Sequence, residues 1–330
     1  MISTSFTKLL AIHHPVALAG LGGVGRAELA AAVSNAGGLG MLGMIRMPPD
    51  FIREQVCRTR SLTSRPFGVN LVPPVAHAPG GIESQLEICI KERVPVVSLF
   101  WCDVAPFVER CHAAGIVVML QVGSAQEARS AAAAGVDVIV AQGVEAGGHV
   151  CGQVGLLPLL PTIVEAVAPT PVLAAGGIVN GRGLAAALSL GAAGVWVGTR
   201  FVASAESEAH PEYKQRLLRA CETDTVRSEL SRVEWPPHAP HRLIRNALTD
   251  GSPLPSAPIA RVRLEDRFVE LPVLTSAPPT IHTEGQTELM ANYAGQGVGL
   301  IRHILPAATI VAQMVAEAED TIRDLPALLA

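Results

Sequence analysis

Aromatic and charged residues are scarce in this sequence of 330 residues: Phe, Trp and Tyr make up 4% of it, and Asp, Glu, Lys and Arg 16%. The net charge is only −4 and there is no basic cluster, which argues against nucleic acid as the main partner. The chain is instead 49% hydrophobic and rich in Ala, Val, Leu and Gly. Such a composition is typical of α/β proteins with buried parallel strands, and the chain is long enough to bury a sizeable core.

Paired cysteines and a long uninterrupted apolar run are also lacking. The six cysteines form no Cys-x-x-Cys pair, which argues against a disulfide framework or a metal site and favours a reducing cytoplasm. The most apolar long region, residues 155–179, is interrupted by prolines and by Glu165, and the N-terminus has no signal-peptide pattern. We therefore expect a soluble cytoplasmic protein that holds no metal and does not enter a membrane.

Short apolar runs alternate regularly with helical patterns along the first two thirds of the chain. The predicted strands are 16–19, 39–42, 67–71, 96–100, 117–122, 136–141, 172–175 and 194–197. The predicted helices are 27–35, 50–60, 82–92, 105–113, 125–134, 156–167, 183–190 and 211–220. This alternation predicts an α/β fold, a (β/α)₈ TIM barrel over residues 1–220, and an open doubly wound sheet is the alternative.

The composition changes after residue 220. Residues 234–280 are rich in proline and show little periodicity, and a helical pattern runs from about residue 298 to residue 328. We expect residues 221–330 to form a C-terminal helical cap or extension that packs on the barrel. The same segment could equally serve as a dimerisation element of a homodimer.

A glycine-rich turn follows the first predicted strand. Residues 20–25 (Gly-Leu-Gly-Gly-Val-Gly) satisfy the dinucleotide-binding pattern Gly-x-Gly-x-x-Gly, which also requires an acidic residue near the end of the second strand. The first acid after that strand is Asp50, beyond Pro48-Pro49. A tight first βα loop whose backbone faces a ligand is therefore favoured, and a flexible turn is the alternative.

Two further glycine turns, Gly176-Gly177 and Gly198-Thr199, follow the seventh and eighth predicted strands. Barrels commonly bind a phosphate between these two loops, and the turns offer backbone N–H groups and a hydroxyl for it. FMN fits such a site, with its phosphate at one end and its flat ring over glycine-lined loops. A phosphosugar would also fit the phosphate site, and glycines that only make tight turns are a further alternative.

The segment from Gln142 to His149 begins where the sixth predicted strand ends. Its small residues, Ala146-Gly147-Gly148, let the backbone approach a flat ligand closely. The histidine that follows can exchange a proton with a reaction partner of that ligand near neutral pH. The motif thus indicates a ligand site with a proton-handling group at its edge.

These segments together resemble the nitronate monooxygenase (2-nitropropane dioxygenase) family of FMN-dependent barrels. The resemblance covers residues 15–207 and, more loosely, the C-terminal part. The segments that carry it are 27–40, 66–71, 121–124, 142–149, 175–177, 198–201 and 293–297. The sequence departs from the family at Leu21, where Met is frequent, and at residues 99–102, where Phe100 and Trp101 would reshape the substrate pocket or simply pack.

The resemblance implies FMN as cofactor, and oxidation of alkyl nitronates by O₂ to a carbonyl compound and nitrite. It implies that His149 is the catalytic residue, as a base toward the substrate or as a partner of its anionic form. The implied flavin contacts are Gly20, Leu21, Gly22, Asn70, Gln121, Gln142, Gly147, Gly148, Gly176, Gly177, Gly198 and Thr199. Amide side chains among them can both donate and accept, as the edges of a flavin require.

Two other functions remain open at this point. A flavin-dependent NAD(P)H reductase, of the enoyl-(acyl-carrier-protein) or NADH:quinone type, would share the barrel and the Gly-Gly-His motif. A barrel that binds a flavin or phosphate without catalysis belongs to a different class, and His149 at the reactive edge speaks against it.

Overall fold

The structure is a computed structural model that describes residues 2–76, 80–264 and 267–329. Its strands are β1 (Val16–Leu18), β2 (Gly40–Gly43), β3 (Phe67–Leu71), β4 (Val96–Phe100), β5 (Val117–Val122), β6 (Val138–Gln142), β7 (Gly148–His149), β8 (Val172–Ala175), β9 (Gly194–Val197), β10 (Thr225–Ser228), β11 (His241–Ile244), β12 (Ala260–Leu264), β13 (Arg267–Leu271) and β14 (Thr283–Gly285). Its helices are α1 (Ser5–Leu10), α2 (Ala27–Asn35), α3 (Pro49–Leu62), α4 (Gly81–Lys91), α5 (Ala105–Ala113), α6 (Ala125–Ala133), α7 (Leu156–Val167), α8 (Gly181–Ser189), α9 (Thr199–Val202), α10 (Pro211–Arg219) and α11 (Ala307–Asp324).

Eight parallel strands form a barrel in the order β1-β9-β8-β6-β5-β4-β3-β2. The ring closes between β1 and the residue before β2: the Leu18 N–H donates to the Leu39 carbonyl and the Leu39 N–H donates to the Val16 carbonyl, both at 2.9 Å. The predicted (β/α)₈ barrel is thus confirmed, and the open doubly wound sheet is excluded.

The barrel strands are apolar on both faces because one face fills the interior and the other packs on helices. Every residue of β1, β2, β3, β4 and β6 is buried. The helices around them begin at recognisable caps. Asn180, for example, accepts a hydrogen bond from the Gly183 N–H at 3.1 Å, so α8 begins two residues before its predicted start at residue 183.

The helix that completes the outer ring is α11, not the predicted eighth helix at 211–220. Ile310, Val311 and Met314 belong to the core of the barrel, and α11 packs against α8 and α2. Helix α10 instead joins a separate cluster with the extension, in which Tyr213 packs with Ile244. The division of the chain at residue 220 stays a prediction, as does dimerisation through the extension.

The extension contains strands as well as the predicted helix. Strands β10 and β11 form a three-stranded sheet with β7, and β12 lies between β13 and β14 in a second sheet. The proline-rich composition of 234–280 concealed β11, β12 and β13, because proline and charged residues interrupt the alternation that reveals a strand. Helix α11 begins at Ala307, after Pro306, and so later than residue 298.

Among the described residues, no helix is both long enough and apolar enough to cross a membrane. The cytoplasmic location stays a prediction.

Candidate active site

A cavity of about 1370 Å³ lies where the barrel strands end. All of the predicted site residues line it: Gly20, Leu21, Gly22, Asn70, Gln121, Gln142, Gly147, Gly148, His149, Gly176, Gly177, Gly198 and Thr199. Their places on different strands explain why they meet, since the carboxyl ends of parallel barrel strands all face the same end of the barrel. The roles that the sequence suggested for these residues remain predictions.

Two of the glycines have a structural requirement as well as a place at the cavity. A Cβ atom on Gly147 would lie 2.5 Å from the backbone nitrogen of Gly295, so the extension approaches the strand-six loop too closely for any side chain. Gly177 has a φ of +69°, in the left-handed region that glycine adopts without strain. Its backbone therefore faces the cavity without a side chain in front of it.

The amide side chains at the cavity are held by the barrel. The Asn70 Nδ2 donates to the Ser98 carbonyl at 3.3 Å, and the Gln142 Nε2 donates to the His149 carbonyl at 2.9 Å. The Oε1 of Gln142 is buried and has no hydrogen-bond partner within the described residues. A buried acceptor of this kind is unfavourable without a donor, so it suits a ligand that presents an N–H group.

The turns after β8 and β9 also line the cavity. The Thr199 Oγ1 accepts a hydrogen bond from the Gly295 N–H at 3.0 Å, which leaves the hydroxyl proton available for a ligand. The neighbouring Arg200 is buried and donates to the His303 carbonyl at 2.8 Å. Arg200 therefore fastens the extension to the barrel and does not line the cavity.

His149 lies on β7, opposite His241 of β11. Its ring stacks on Trp235 with centroids 3.3 Å apart and planes 11° apart, and the Trp101 ring lies edge-on at 6.3 Å. The side chain is 9% exposed, and its Nε2 has no partner among the described residues. The stack fixes the plane of the imidazole while one ring nitrogen stays unsatisfied.

Burial holds the pKa of His149 well below its usual 6.5, and the charges of Arg46 and of His241, when His241 is protonated, act in the same direction. The imidazole is therefore neutral near pH 7. In this form one ring nitrogen donates a hydrogen bond and the other can accept a proton. This is the state that a base or a hydrogen-bonding partner of a substrate requires.

The sequence analysis missed several groups around His149. Trp235 and Glu234 come from the proline-rich segment, and Glu234 forms an ion pair with Arg46, whose guanidinium also donates to the Ser276 hydroxyl at 3.0 Å. No periodicity marked these positions. Tyr293, which also lines the cavity, was signalled only as part of the segment 293–297.

Glu145, Phe100 and Trp101 lie near the motif, and only Phe100 of the three lines the cavity. Glu145, the only acid in the strand-six motif, accepts from the Leu156 N–H at 2.9 Å and so caps α7. Phe100 lines the cavity, whereas Trp101 packs beside it with a φ of +63°.

The two neighbouring histidines predict a stability that falls in acid. Burial lowers the pKa of His241 to about 4, and that of His149 also lies below 6.5. Below pH 6.5 these histidines are protonated in the unfolded chain but remain neutral in the folded protein. The free energy of unfolding should therefore fall by up to about 1.4 kcal/mol per pH unit for each histidine as the pH decreases. Urea unfolding at several pH values between neutral pH and about pH 4.5 gives the free energy of unfolding as a function of pH. This dependence on pH should be less steep in His241→Gln than in the wild type, and an unchanged dependence would contradict this account.

The sequence model of the nitronate monooxygenase family matches residues 3–317 of the chain. The chain belongs to the nitronate monooxygenase family. It is 33% identical to a nitronate monooxygenase of Pseudomonas aeruginosa, covering 94% of this chain and 98% of that one. It is also 40% identical to a (3aS,4S,5R,7aS)-5-hydroxy-7a-methyl-1-oxo-octahydro-1H-indene-4-carboxyl-CoA dehydrogenase of Mycobacterium tuberculosis, over 76% of this chain and 68% of the relative.

Solved structures agree over nearly the whole chain. FabK from Thermotoga maritima superposes with a TM-score of 0.83 at 32% identity, covering 99% of this chain and 100% of that one. A nitroalkane oxidase from Streptomyces ansochromogenes superposes with a TM-score of 0.78 at 30% identity, covering 97% and 99%. The protein is therefore an oxidoreductase. Membership of the nitronate monooxygenase family supports a flavin cofactor, and together with the nitroalkane oxidase neighbour it supports the oxidation of nitroalkanes or nitronates.

Proposed function

We propose that the protein binds FMN in this cavity and, with O₂, oxidises alkyl nitronates to a carbonyl compound and nitrite. The observation that carries the proposal is the position of His149: a buried, neutral histidine with an unpartnered nitrogen shares one cavity with the glycine turns after β8 and β9. Membership of the family makes nitronates the first substrates to test.

The residues around the cavity fit FMN. The backbone N–H groups of Gly176 and Gly177 and the Thr199 hydroxyl would hold its phosphate. The unsatisfied Oε1 of Gln142, together with the Asn70 amide, would hydrogen-bond polar edges of the ring. The remaining predicted contacts, Gly20, Leu21, Gly22, Gln121, Gly147, Gly148 and Gly198, would lie against the cofactor with little side-chain bulk between it and the backbone.

The reaction divides between cofactor and protein. FMN, when bound, would supply the redox chemistry by taking electrons from the nitronate. His149 would donate a hydrogen bond to the anionic nitronate, or accept the proton that a neutral nitroalkane must lose. Trp235 keeps the imidazole in one plane, which lowers the entropy cost of that contact. Phe100 and Trp235, which pack in one apolar cluster, would keep water away from the reacting group.

Anaerobic mixing of the purified FMN enzyme with a nitronate, and separately with NADH, tests the proposal. We expect the nitronate to bleach the oxidised flavin absorbance, because electrons then have no other acceptor, and NADH to react much more slowly. Rapid bleaching by NADH with no response to the nitronate would instead assign the enzyme to the NAD(P)H reductases. A colourless protein that cannot be reconstituted with FMN would refute both.

A second candidate function is favoured by one relative. The dehydrogenase at 40% identity carries the name of a carboxyl-CoA substrate, and the cavity lining includes two exposed arginines, Arg263 and Arg267, that could meet phosphates. Oxidation of a CoA thioester would then be the reaction. A third anaerobic arm with an acyl-CoA discriminates this candidate, since bleaching by the thioester and not by the nitronate would favour it.

A further inference from the structure

The hairpin formed by β12 and β13 turns an apolar face toward the cavity. Val262 lies opposite Val269, and Leu264 lies opposite Arg267. Because side chains alternate along a strand, these residues share one face of the hairpin, and all of them line the cavity. We call the apolar members of this face, Val262, Leu264, Val269 and Leu271, the inner face of the hairpin; the charged Arg267 lies beside them near the tip.

The other face of the hairpin has partners of its own. Arg261 forms an ion pair with Glu284 at 2.7 Å, and its guanidinium lies over the Phe268 ring at 4.3 Å from the centroid. Arg261 and Phe268 of the outer face are therefore occupied by contacts within the second sheet, whereas Arg263 of that face lines the cavity. Among the described residues, the four apolar side chains of the inner face have no ion pair or ring contact of this kind.

Only the base of the inner face is packed. Leu271 contacts the cluster of Ile259, Ala260 and Met290. Toward the tip, Leu264 is 47% exposed and Val269 36% exposed, and neither belongs to a core cluster of the described residues. Two partly exposed apolar side chains, Leu264 and Val269, therefore line the cavity.

The size of the cavity calls for a second ligand of substantial length. A single drug-sized ligand fills about 300–1,000 Å³, whereas this cavity measures about 1370 Å³. Its lining includes the turns at Gly177 and Thr199, His149 and the inner face of the hairpin. A cofactor bound at the barrel end would leave part of this volume, lined by the hairpin, for a substrate.

We propose that the inner face of the hairpin is the binding wall for an extended apolar group of the substrate, whose reacting end lies at His149. The substrate class is therefore a long-chain or bulky alkyl compound rather than a short nitroalkane. The inference rests on the proposed function only for the chemistry of the reacting end. The wall itself follows from the register, exposure and position of the hairpin.

Binding of alkyl carboxylates to the FMN enzyme tests the wall without turnover. A carboxylate resembles a nitronate in its planar shape and shared negative charge, and it is not oxidised. We expect affinity to rise from butanoate to dodecanoate by up to about fourfold per methylene, as apolar surface is buried on the inner face. The readout is the perturbation of the flavin absorbance, with isothermal calorimetry as a second measure.

Two variants with the same charge change separate the two faces of the hairpin. Val269→Asp places a carboxylate in the wall and should weaken dodecanoate by about tenfold or more, while butanoate is unaffected. Phe268→Asp changes the adjacent residue on the outer face and should leave the whole series unchanged. Leu264→Ser provides an independent variant, with a smaller loss in the same direction.

The outcomes are distinct. No dependence on chain length, or equal losses in Val269→Asp and Phe268→Asp, would overturn the wall. If affinity rises with chain length and Val269→Asp removes this rise, the result would support the wall, even if the enzyme failed to oxidise any nitronate. Conversely, oxidation of nitronates without such a dependence would leave the proposed function standing and remove this inference.

Discussion

Replacing His149 with alanine should lower kcat/KM for a nitronate by about 10²–10⁴-fold, the usual contribution of a positioned proton-transfer or hydrogen-bonding group. FMN should remain bound, because the contacts proposed for the phosphate lie on the turns after β8 and β9. The reason for so large an effect is the isolation of the imidazole. It is buried, neutral and unpartnered at Nε2, so the described residues near it offer no obvious substitute.

His241→Ala is the matched control for this prediction. His241 is also buried, its ring lies 5.1 Å from that of His149, and its pKa is likewise lowered by burial, but it does not line the cavity. We expect it to lose stability and to keep most of its activity. Steady-state kinetics with a preformed nitronate and flavin absorbance measure both quantities, and full activity in His149→Ala would remove this residue from the mechanism.

Replacing Gly177 with alanine should weaken FMN by about 10- to 100-fold, which is the loss expected when a hydrogen bond to a charged phosphate is disturbed. The apoprotein has room for the new methyl group, since its nearest neighbour would be the Glu145 Cβ at 3.7 Å. The loss would therefore arise from the methyl group facing the phosphate and from the altered N–H, not from a clash within the protein.

Gly115→Ala separates that effect from backbone strain. Gly115 has a φ of +72°, close to the +69° of Gly177, and a Cβ there would meet nothing within 4 Å. Both variants should lose about 1–2 kcal/mol of stability, the cost of a side chain in the left-handed region. When the apoproteins are titrated with FMN, only Gly177→Ala should show a weaker affinity. An equal change in the FMN affinity of Gly177→Ala and Gly115→Ala would place the phosphate elsewhere.

The barrel and the positions of the site residues could be predicted because local signals carry them. Buried parallel strands have continuous apolar runs, as in 96–100, and the turns that follow them reveal themselves through glycine, as at Gly176. Since all the strands of a barrel end on one side, finding the strands sufficed to bring Asn70 and His149 to one cavity.

The extension could not be predicted in the same way. The pairing of β7 with β11 joins residues about ninety positions apart, and no local pattern encodes such a register. The stacking of Trp235 on His149 depends on this pairing, because Trp235 lies in the segment that leads into β11. Helix α11 falls within the predicted helical tract. A helical pattern does not indicate which groove the helix fills, and α10 lies closer in sequence to the last barrel strand.

The place of α11 has a consequence for the order of events during synthesis. All eight barrel strands leave the ribosome before the extension, yet the helix that covers the groove between α8 and α2 is made near the end of the extension. A nascent chain that ends in the extension before α11 therefore exposes the apolar side of this groove, including the surface later covered by Ile310 and Met314. Such intermediates are the ones that chaperones recognise, so this protein should depend on them for longer than a barrel whose helices follow its strands in turn.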